Sequence, residues 1–354
     1  MKFLRIILLY PLSIIYGGVT AVRNWLYDVK IKHSTPTPIK TISVGNITVG
    51  GTGKTPHSEY LIRLLQTDYR VGYLSRGYKR KSSGFRLAIP DIKSHIIGDE
   101  AYQIHTKFPE AIVAVCADRL HALKKMKKLD DAPEIVVLDD AFQHRTIKPD
   151  INIVLIDYNR LLFKDYMLPY GELREDKSNI HRADIIIVTK CPPVLKPAEM
   201  KVVSMNLDLY AYQTLYFTSI VQSEPKAIYS DTLLDISTTE ILLVTGTAQP
   251  QHLLQHLQSK SPKVVHLQYP DHYNFKNRDL NDIITQFDKL KEGQKAIIIT
   301  AKDAARLSSM NVPEELKPHL YSMDVEVEFL ANQQDKFDKQ IYKYIRRKSM
   351  FCTW

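Results

Sequence analysis

The residues most suited to chemistry in this chain lie in one short, glycine-rich segment. It follows the apolar run 42–47 and precedes a helix-like stretch, so the pattern predicts a strand, a tight turn and the start of a helix. The backbone N–H groups of such a turn can surround phosphate groups, and the helix start adds partial positive charge. Lys54 could reach the β- and γ-phosphates, and the Thr55 hydroxyl could bind Mg²⁺. The segment therefore predicts a nucleoside triphosphate site formed by Thr48, Val49, Gly50, Gly51, Thr52, Gly53, Lys54 and Thr55.

This loop departs from the usual phosphate-binding spacing at its first position. Thr48 stands where that pattern has a glycine, and the glycines are instead at positions 50, 51 and 53. An ordinary glycine-rich turn is one alternative, and the strand–loop–helix context counts against it. A dinucleotide site is disfavoured because the turn contains no G-x-G-x-x-G sequence.

Two carboxylates, Asp139 and Asp140, follow the apolar run 135–138. In P-loop enzymes a strand of this kind lies beside the phosphate loop, and its acid holds Mg²⁺ directly or through water. Without the loop, a strand end with acidic turn residues would be the simpler interpretation. Because the loop is present, we predict that Thr55 and this acidic pair hold Mg²⁺. The choice between the two acids stays open.

Gly98-Asp99-Glu100 precedes another helix-like stretch. Asp99 suits an N-cap by residue type. A carboxylate at the phosphate edge of the sheet could instead accept the proton of an attacking hydroxyl group, and either Asp99 or Glu100 could do so. The capping and the catalytic interpretations both stay open at this level.

Three loops could add contacts to a substrate. Arg76 and Tyr78 follow an apolar run, so they belong to the same edge of the predicted sheet. Arg174 lies in a loop that also contains Gly and Pro, a composition found in functional loops and in packed surface loops alike. Asp271 and His272 follow a later apolar run, where the pair could relay a proton or be purely structural.

The composition is that of a folded protein with a modest positive charge. Its 48 Lys and Arg against 39 Asp and Glu give a formal net charge of +9, which suits an anionic ligand or an anionic membrane surface. The basic stretches Arg119–Lys128 and Lys343–Lys348 are interpreted mostly as solvated helix faces. We expect no nucleic-acid partner, since no such module is recognisable. The 3 cysteines form no C-x-x-C pair, so a reducing compartment is expected and a zinc site is not.

The N-terminal segment is apolar and uncharged from Ile6 to Val22, between Lys2 and Arg5 on one side and Arg23 on the other. It is at the short edge of the roughly 20 residues that span a bilayer. A cleaved secretory signal, a buried core helix and an anchor lying in or on the membrane are the alternatives. The anchor is favoured, because basic flanks and aromatic residues suit the interface and export would separate the phosphate loop from ATP.

Apolar runs alternate with helix-like stretches over residues 29–210, after the helix predicted at 1–28. This pattern predicts an α/β fold with a doubly wound, mostly parallel sheet of the P-loop NTPase type. A β-ribbon linker is predicted at 211–239, a smaller α/β domain at 240–327, and a C-terminal helix within 328–354 that packs back. The strands predicted for the first sheet are Thr41–Val44, Val71–Ser75, Ile112–Val115, Ile135–Leu138, Ile151–Ile156 and Ile185–Val188.

Taken together, these motifs resemble the tetraacyldisaccharide 4′-kinase, or lipid A 4′-kinase, family. The resemblance spans nearly the whole chain, and Thr48 fits the family's own version of the phosphate loop. It rests on the segments Val44–Pro56, Ser75–Tyr78, Gly98–Glu100, Val137–His144, Leu168–Glu175, Tyr269–His272 and Thr300–Ala304.

The resemblance implies an ATP- and Mg²⁺-dependent kinase of lipid A (lipopolysaccharide) biosynthesis. It would phosphorylate the 4′-hydroxyl of a tetraacylated glucosamine disaccharide 1-phosphate at the cytoplasmic face of the bacterial inner membrane. The family assigns the general base to Asp99, assisted by His272, and Lys54 is the third candidate catalytic residue. The candidate Mg²⁺ contacts are Thr55, Asp139, Asp140 and Glu100. The candidate substrate contacts are Arg76, Tyr78, Gln143, His144 and Arg174.

Two other functions stay open on the sequence. One is a membrane-associated P-loop ATPase switch of the partitioning or targeting type, and the other is a soluble small-molecule kinase. Many switches of the first kind carry a lysine just before the paired glycines of the loop, where this chain has Val49. The apolar N-terminal segment counts against the second.

Overall fold

Alternating strands and helices make up most of the chain, as the spacing of its apolar runs predicts. A computed structural model describes residues 2–246, 250–270, 273, 275–290, 293–307 and 310–346. Its helices are α1 (Lys2–Asp28), α2 (Lys54–Leu65), α3 (Ser94–Ile97), α4 (Asp99–Lys107), α5 (Arg119–Met126), α6 (Pro197–Leu207), α7 (Gln251–Lys260), α8 (Asn277–Asp288), α9 (Ala301–Leu307) and α10 (Gln334–Arg346). Its strands are β1 (Thr35–Pro36), β2 (Lys40–Asn46), β3 (Val71–Ser75), β4 (Arg86–Leu87), β5 (Ile112–Val115), β6 (Ile135–Asp139), β7 (Ile147–Lys148), β8 (Ile151–Asp157), β9 (Ile185–Thr189), β10 (Thr214–Gln222), β11 (Lys226–Ala227), β12 (Glu240–Thr245), β13 (Val264–Gln268), β14 (Lys295–Thr300), β15 (Leu320–Met323) and β16 (Val325–Phe329).

The larger sheet has 9 strands in the order β16-β10-β9-β8-β2-β6-β3-β5-β4. All pairs from β10 to β5 are parallel, and the edge strands β16 and β4 are antiparallel to their neighbours. Apolar clusters cover both faces of this sheet, which is why its strands read as continuous apolar runs. The predicted doubly wound sheet is confirmed. The strand β2, which leads into the phosphate loop, lies at its centre.

The segment predicted as a ribbon linker at 211–239 contains a strand of this larger sheet. Strand β10 pairs parallel with β9, and on its other side it pairs antiparallel with β16. The β10–β16 pair therefore continues the sheet as a ribbon, and residues 325–327, predicted within the second domain, belong to it. The partner of β10 lies more than 100 residues away in the chain, so the local pattern cannot reveal the pairing. The exact domain limits stay a prediction.

The smaller sheet belongs to a second α/β unit, which contains strands β11–β15 and helices α7–α9. Its strand order is β11-β15-β14-β12-β13, and all neighbours except β11 and β15 are parallel. Helix α8 buries Leu280, Ile283 and Phe287 against this sheet. The spacing of three and four residues between these side chains places them on one helix face. The α/β character predicted for this region is confirmed.

The C-terminal helix α10 packs back on the larger sheet. Its Phe337 contacts Tyr60 of α2 and Tyr216 of β10, with ring centroids 5.9 and 5.2 Å apart. Asp338 accepts a hydrogen bond of 2.7 Å from the Tyr60 hydroxyl. The helix thereby covers the junction between the phosphate-loop helix and the ribbon.

Helix α1 leaves an apolar stripe uncovered. Leu8, Leu12, Ile15, Val19 and Val22 follow each other at spacings of four and three residues, and all are exposed. The interpretation of this segment as a buried core helix is therefore wrong. Among the helices that the structure describes, none is both long enough and apolar enough to cross a membrane.

The opposite side of α1 is polar and holds the loops of the first unit. The Tyr16 hydroxyl donates a hydrogen bond of 3.1 Å to the Arg174 carbonyl. Buried Asn24 donates through Nδ2 to Glu175 and Asn179, at 3.1 Å each. One side of the helix thus fixes the loops around the phosphate-loop edge, while the other side stays apolar and open.

Candidate active site

The phosphate loop joins the end of β2 to the start of α2. Gly50 and Gly53 have φ values of 95° and 84°, a backbone region that glycine enters without steric cost. The loop is tied to the segment 172–174, because Val49 N–H donates to the Glu172 carbonyl at 2.8 Å and Thr48 forms a bridge with Leu173. Thr48 is buried in this bridge, so its place in the loop is set by backbone pairing with a neighbouring segment.

Two buried side chains fix the loop through hydrogen bonds. Asn46 donates through Nδ2 to the Thr52 hydroxyl at 2.9 Å. His57 contacts the Gly53 carbonyl through Nδ1 at 2.8 Å and the Thr218 hydroxyl of β10 through Nε2 at 3.1 Å. Burial lowers the pKa of His57 to about 4, so the ring is neutral at physiological pH. His57 therefore works as a neutral bridge between the loop and the ribbon.

Lys54 points to the acidic end of β6. Its Nζ lies 3.8 Å from Asp140 Oδ1. Asp140 also accepts hydrogen bonds from Arg174 Nη1, which lies 2.9 Å from each of its carboxylate oxygens. The three predicted residues therefore form one charged group beside the loop, with one carboxylate between two cations.

Asp139 occupies a different environment from its neighbour. It is buried, and its Oδ2 accepts a hydrogen bond of 3.0 Å from the Tyr73 hydroxyl. Its Oδ1 has no hydrogen-bond partner among the residues that the structure describes. Burial raises the pKa of Asp139 to about 6, and the negative charges of Asp140 and Glu100 act in the same direction. The positive charge of Lys54 opposes this shift. A buried, unpaired carboxylate oxygen is costly unless a cation or proton satisfies it.

Helix α4 carries the predicted base. Its N-cap is Gly98, with φ of 88°, so Asp99 is the first helical residue. The interpretation of Asp99 as an N-cap is wrong, because a positive φ at the cap position favours glycine there. Asp99 Oδ2 instead accepts a hydrogen bond of 2.6 Å from Arg306 Nη2 of helix α9. Helix α4 also contacts the phosphate-loop helix α2, because Gln103 of α4 donates a hydrogen bond of 2.7 Å to Glu59 of α2.

Three arginines act electrostatically on His144. Burial, together with the positive charges of Arg119, Arg23 and Arg76, lowers the pKa of His144 to about 4. Its Nε2 is buried and finds no hydrogen-bond partner within the described part of the chain. These three positive charges act on the neutral ring against the single negative charge of Asp118, and a positive field of this kind suits an anionic group.

Arg119 is a site residue that the sequence analysis misses. It is buried at the start of α5, and it donates to the Cys116 carbonyl at 2.6 Å and to the Asp139 carbonyl at 3.2 Å. The interpretation of Arg119–Lys128 as a solvated face is wrong for this first residue. Arg23 is also missed, and its Nη2 donates to the Gln143 carbonyl at 2.5 Å. The available signals are that Arg119 lies two residues after an apolar run and that Arg23 lies in the last two turns of the N-terminal helix.

Most of the predicted site residues gather at this edge of the sheet. Gln143 donates through Nε2 to the Asn46 carbonyl at 2.7 Å, next to the loop. The loop after β3 carries Arg76 and the exposed Tyr78, and its backbone touches Gly98. Glu100 acts electrostatically on Asp139, so it belongs to the same neighbourhood. Predicted residues Asp271 and His272 lie outside the residues that the structure describes.

No group of three or more His, Cys, Asp or Glu side chains within the described ranges could hold a metal ion by itself. Mg²⁺ commonly takes only one or two carboxylates and completes its shell with phosphate oxygens and water. The unpaired Oδ1 of Asp139 and the Thr55 hydroxyl beside the loop fit that donor set. The residues present are therefore compatible with Mg²⁺ bound together with a nucleotide.

Comparisons with known proteins match nearly the whole chain. The family profile described as Tetraacyldisaccharide-1-P 4′-kinase matches residues 5–346. A tetraacyldisaccharide 4′-kinase of Phocaeicola vulgatus is 47% identical over 349 residues, covering 96% of this chain and 95% of the relative. One of Bacteroides thetaiotaomicron is 44% identical over 355 residues, covering 96% and 93%.

A solved structure is also similar along the full length. The "apo" form of LpxK from Aquifex aeolicus, crystallised in complex with ATP, has a TM-score of 0.76 and 28% identity, with 97% of this chain and 99% of that chain covered. These matches confirm the predicted resemblance, fold class and kinase activity, together with the predicted use of ATP and Mg²⁺. The chain belongs to the Tetraacyldisaccharide-1-P 4′-kinase family.

Proposed function

We propose that this chain transfers the γ-phosphoryl group of ATP to the 4′-hydroxyl of a tetraacylated glucosamine disaccharide 1-phosphate, in lipid A synthesis. The relatives named above are tetraacyldisaccharide 4′-kinases, and the similar structure was crystallised with ATP. One observation carries the assignment of residues. The phosphate loop, the Asp139/Asp140 pair and the start of α4 meet at one edge of the central sheet, where Glu100 acts on Asp139.

Lys54 and the loop amides would bind the phosphates of ATP. Phosphoryl transfer needs little covalent help from the protein, and it depends mainly on positioning and on neutralising charge. Lys54 supplies one positive charge, and Arg174 supplies a second one on the other side of Asp140. The tie between Val49 and Glu172 fixes the loop before any nucleotide arrives.

Asp139 and Thr55 would hold the Mg²⁺ that accompanies ATP. A magnesium ion held by these two residues would supply positive charge against the negative charge that develops during transfer. Asp139 is the better candidate for a direct contact, because its Oδ1 lacks a partner among the described residues while Asp140 is engaged by Lys54 and Arg174. Asp140 would then hold these two cations in place.

Asp99 would act as the general base. As the hydroxyl oxygen forms its bond to phosphorus and the bond to the leaving ADP oxygen breaks, the hydroxyl proton would pass to the Asp99 carboxylate. The predicted assistance by His272 stays a proposal that rests on the family alone. Glu100 follows Asp99 on the same helix turn and remains the alternative base or an outer contact to Mg²⁺.

The arginine group around His144 would bind an anionic part of the substrate. Arg23, Arg76 and Arg119 all act on His144, and the buried Nε2 of this ring has no hydrogen-bond partner among the described residues. A disaccharide that carries a phosphate needs such a positive field on the side away from the reacting hydroxyl. Tyr78, Gln143 and Arg174 line neighbouring loops and would complete the sugar contacts.

The proposed activity can be tested directly with an acceptor assay. Purified protein is given γ-labelled ATP, Mg²⁺ and the tetraacylated disaccharide 1-phosphate in mixed micelles, and labelled lipid is separated from nucleotide. We expect label in the lipid only when all three components are present. Hydrolysis of ATP without transfer to lipid would contradict the proposal and favour a nucleotide switch, and transfer to a soluble sugar in place of the lipid would favour a small-molecule kinase.

The membrane contact is proposed for the apolar stripe of α1, at the cytoplasmic face of the bacterial inner membrane. The stripe is exposed along the helix, and two aromatic residues of the same helix, Tyr10 and Trp25, are exposed as well. Aromatic side chains of this kind favour the interface between lipid and water. The basic flanks of the helix and the net charge of +9 suit an anionic lipid surface.

Charges placed on this stripe should weaken membrane binding without disturbing the nucleotide site. We expect the triple variant Leu12→Glu, Ile15→Glu, Val19→Glu to float poorly with anionic vesicles and to lose activity on dispersed lipid, because three carboxylates would enter the apolar layer. ATP affinity should stay within about twofold, since these side chains are exposed and lie outside the loop.

The matched control is Leu233→Glu, which changes a highly exposed apolar residue of the second unit. That variant should float and turn over as the unmodified protein does. Unchanged flotation of the triple variant would contradict an anchor on α1.

A further inference from the structure

Arg306 makes an ion pair between the two α/β units at the start of α4. Its Nη2 donates to Asp99 Oδ2 at 2.6 Å. Asp99 belongs to the larger unit, whereas Arg306 lies on α9, which follows β14 of the smaller unit. The pair therefore joins the smaller unit to the carboxylate that carries the proton in the proposed reaction.

The guanidinium is held in place from the side of the smaller unit. Only 7% of the Arg306 side chain is exposed, against 31% for Asp99, and Nη1 of Arg306 donates to Asp303 Oδ1 at 3.1 Å. Asp303 is completely buried. It accepts hydrogen bonds of 2.8 Å from the Gly246 amide and from the Thr300 hydroxyl.

These contacts fix the direction from which Arg306 approaches. Gly246 follows β12 and Thr300 ends β14, so Asp303 is tied to the carboxyl ends of two neighbouring parallel strands. An Arg held by a buried carboxylate has little freedom to follow Asp99 if Asp99 turns. The position of the smaller unit is therefore transmitted to the orientation of the Asp99 carboxylate.

We propose that Arg306 is a positioning residue for the general base, anchored by Asp303. It holds Oδ2 of Asp99 through a charge-assisted hydrogen bond. It would thus keep the carboxylate facing the phosphate edge whenever the two units are docked. This inference rests on the proposed role of Asp99 as the base. It adds that the smaller unit contributes a charged side chain which controls the base.

The test compares variants that remove this pair with one that removes a second ion pair of the same helix. Arg306→Met keeps an unbranched apolar stem and removes the guanidinium with its charge. At the other end of α4, Lys107 Nζ lies 2.6 Å from Asp324 and 2.5 Å from Glu59. Asp324→Asn is the matched control, because it weakens that bridge while Lys107 keeps its contact with the buried Glu59.

We expect Arg306→Met to lower kcat by about 10- to 100-fold, the scale of a misplaced reacting group. The KM for ATP should change less than about threefold, since the contact lies outside the phosphate loop. Arg306→Lys should restore part of the rate, and Asp303→Asn should lower kcat in the same direction. Asp324→Asn should act mainly on the melting temperature and should have only a small effect on kcat.

A double variant separates this inference from the proposed function. If Arg306 acts through the base, Arg306→Met should cause little further loss in an Asp99→Asn background. An undiminished further loss there would overturn the inference, since Arg306 would then act on another group. A normal kcat for Arg306→Met, or equal kcat losses in Arg306→Met and Asp324→Asn, would overturn it as well. Normal turnover by Asp99→Asn alone would instead reject Asp99 as the base.

Discussion

A Lys54→Met protein will fold and will lose phosphoryl transfer by about 10³-fold or more. The expectation follows from the loss of a positive charge beside the transferring group, where a single well-placed cation contributes about 10³–10⁵ in rate in related phosphoryl-transfer enzymes. Lys54 is well placed for this, since it starts α2 directly after Gly53 and its Nζ lies 3.8 Å from Asp140. Methionine keeps much of the side-chain length and fills the same space without the charge.

The fold should survive this change because Lys54 is not part of the core. Asp140 keeps Arg174 as its partner at 2.9 Å, so this carboxylate still faces a cation. Arg63→Met is the matched control, since Arg63 is an exposed cation two turns further along the same helix and pairs with Glu326 at the surface. Melting temperatures and single-turnover rates of both variants should be measured together. Transfer by a folded Lys54→Met protein at the rate of the Arg63→Met control would contradict the phosphate-loop assignment.

The sequence predicts the larger sheet well because local patterns determine its strands. The six predicted strands end within two residues of the observed ones. Buried parallel strands are apolar on both faces, and this makes them visible as short runs bounded by glycine and acids. Residues that follow such runs must lie at the carboxyl edge, which is why Lys54, Arg76 and Asp139 could be brought together without any structure.

Features that depend on contacts between distant segments are those the sequence does not reveal. The residues of β10 have the pattern of a strand, but nothing local shows that β16 is their partner. Arg119 lies in a basic stretch, and only its burial beside Asp139 distinguishes it from its exposed neighbours. The pair of Asp99 with Arg306 joins residues that are 207 positions apart.

The two carboxylates at the end of β6 show the same limit for the chemistry of the site. Side by side in the sequence, Asp139 and Asp140 are indistinguishable as candidate Mg²⁺ contacts. In the fold, Asp140 has φ of 47° and turns outward to Lys54 and Arg174, whereas Asp139 stays in the strand and is buried against Tyr73. Their different surroundings follow from one turn of the backbone.

Asp99→Asn will slow transfer by at least about 10²-fold and leave nucleotide affinity nearly unchanged. A sugar hydroxyl is a weak nucleophile, and a positioned carboxylate that accepts its proton contributes about 10²–10⁴-fold. Asparagine has nearly the same shape, and its side-chain oxygen can still accept the hydrogen bond from Arg306. It cannot take up the hydroxyl proton as a carboxylate does, so the docking of α9 should be largely kept while the chemical step is lost.

Stability and catalysis are separated by measuring both on Asp99→Asn and Asp99→Ala. Since Gly98 is the N-cap, Asp99→Ala should lower the melting temperature through the lost pair with Arg306, and the Asn variant should do so less. Asp235→Ala is the control for an aspartate that only caps a turn, as its carboxylate receives the Ser237 amide at 2.9 Å in the second unit. That control should transfer phosphate normally. If Asp99→Asn also turns over normally, the proton acceptor is another group, and Glu100 on the same helix turn becomes the first residue to replace.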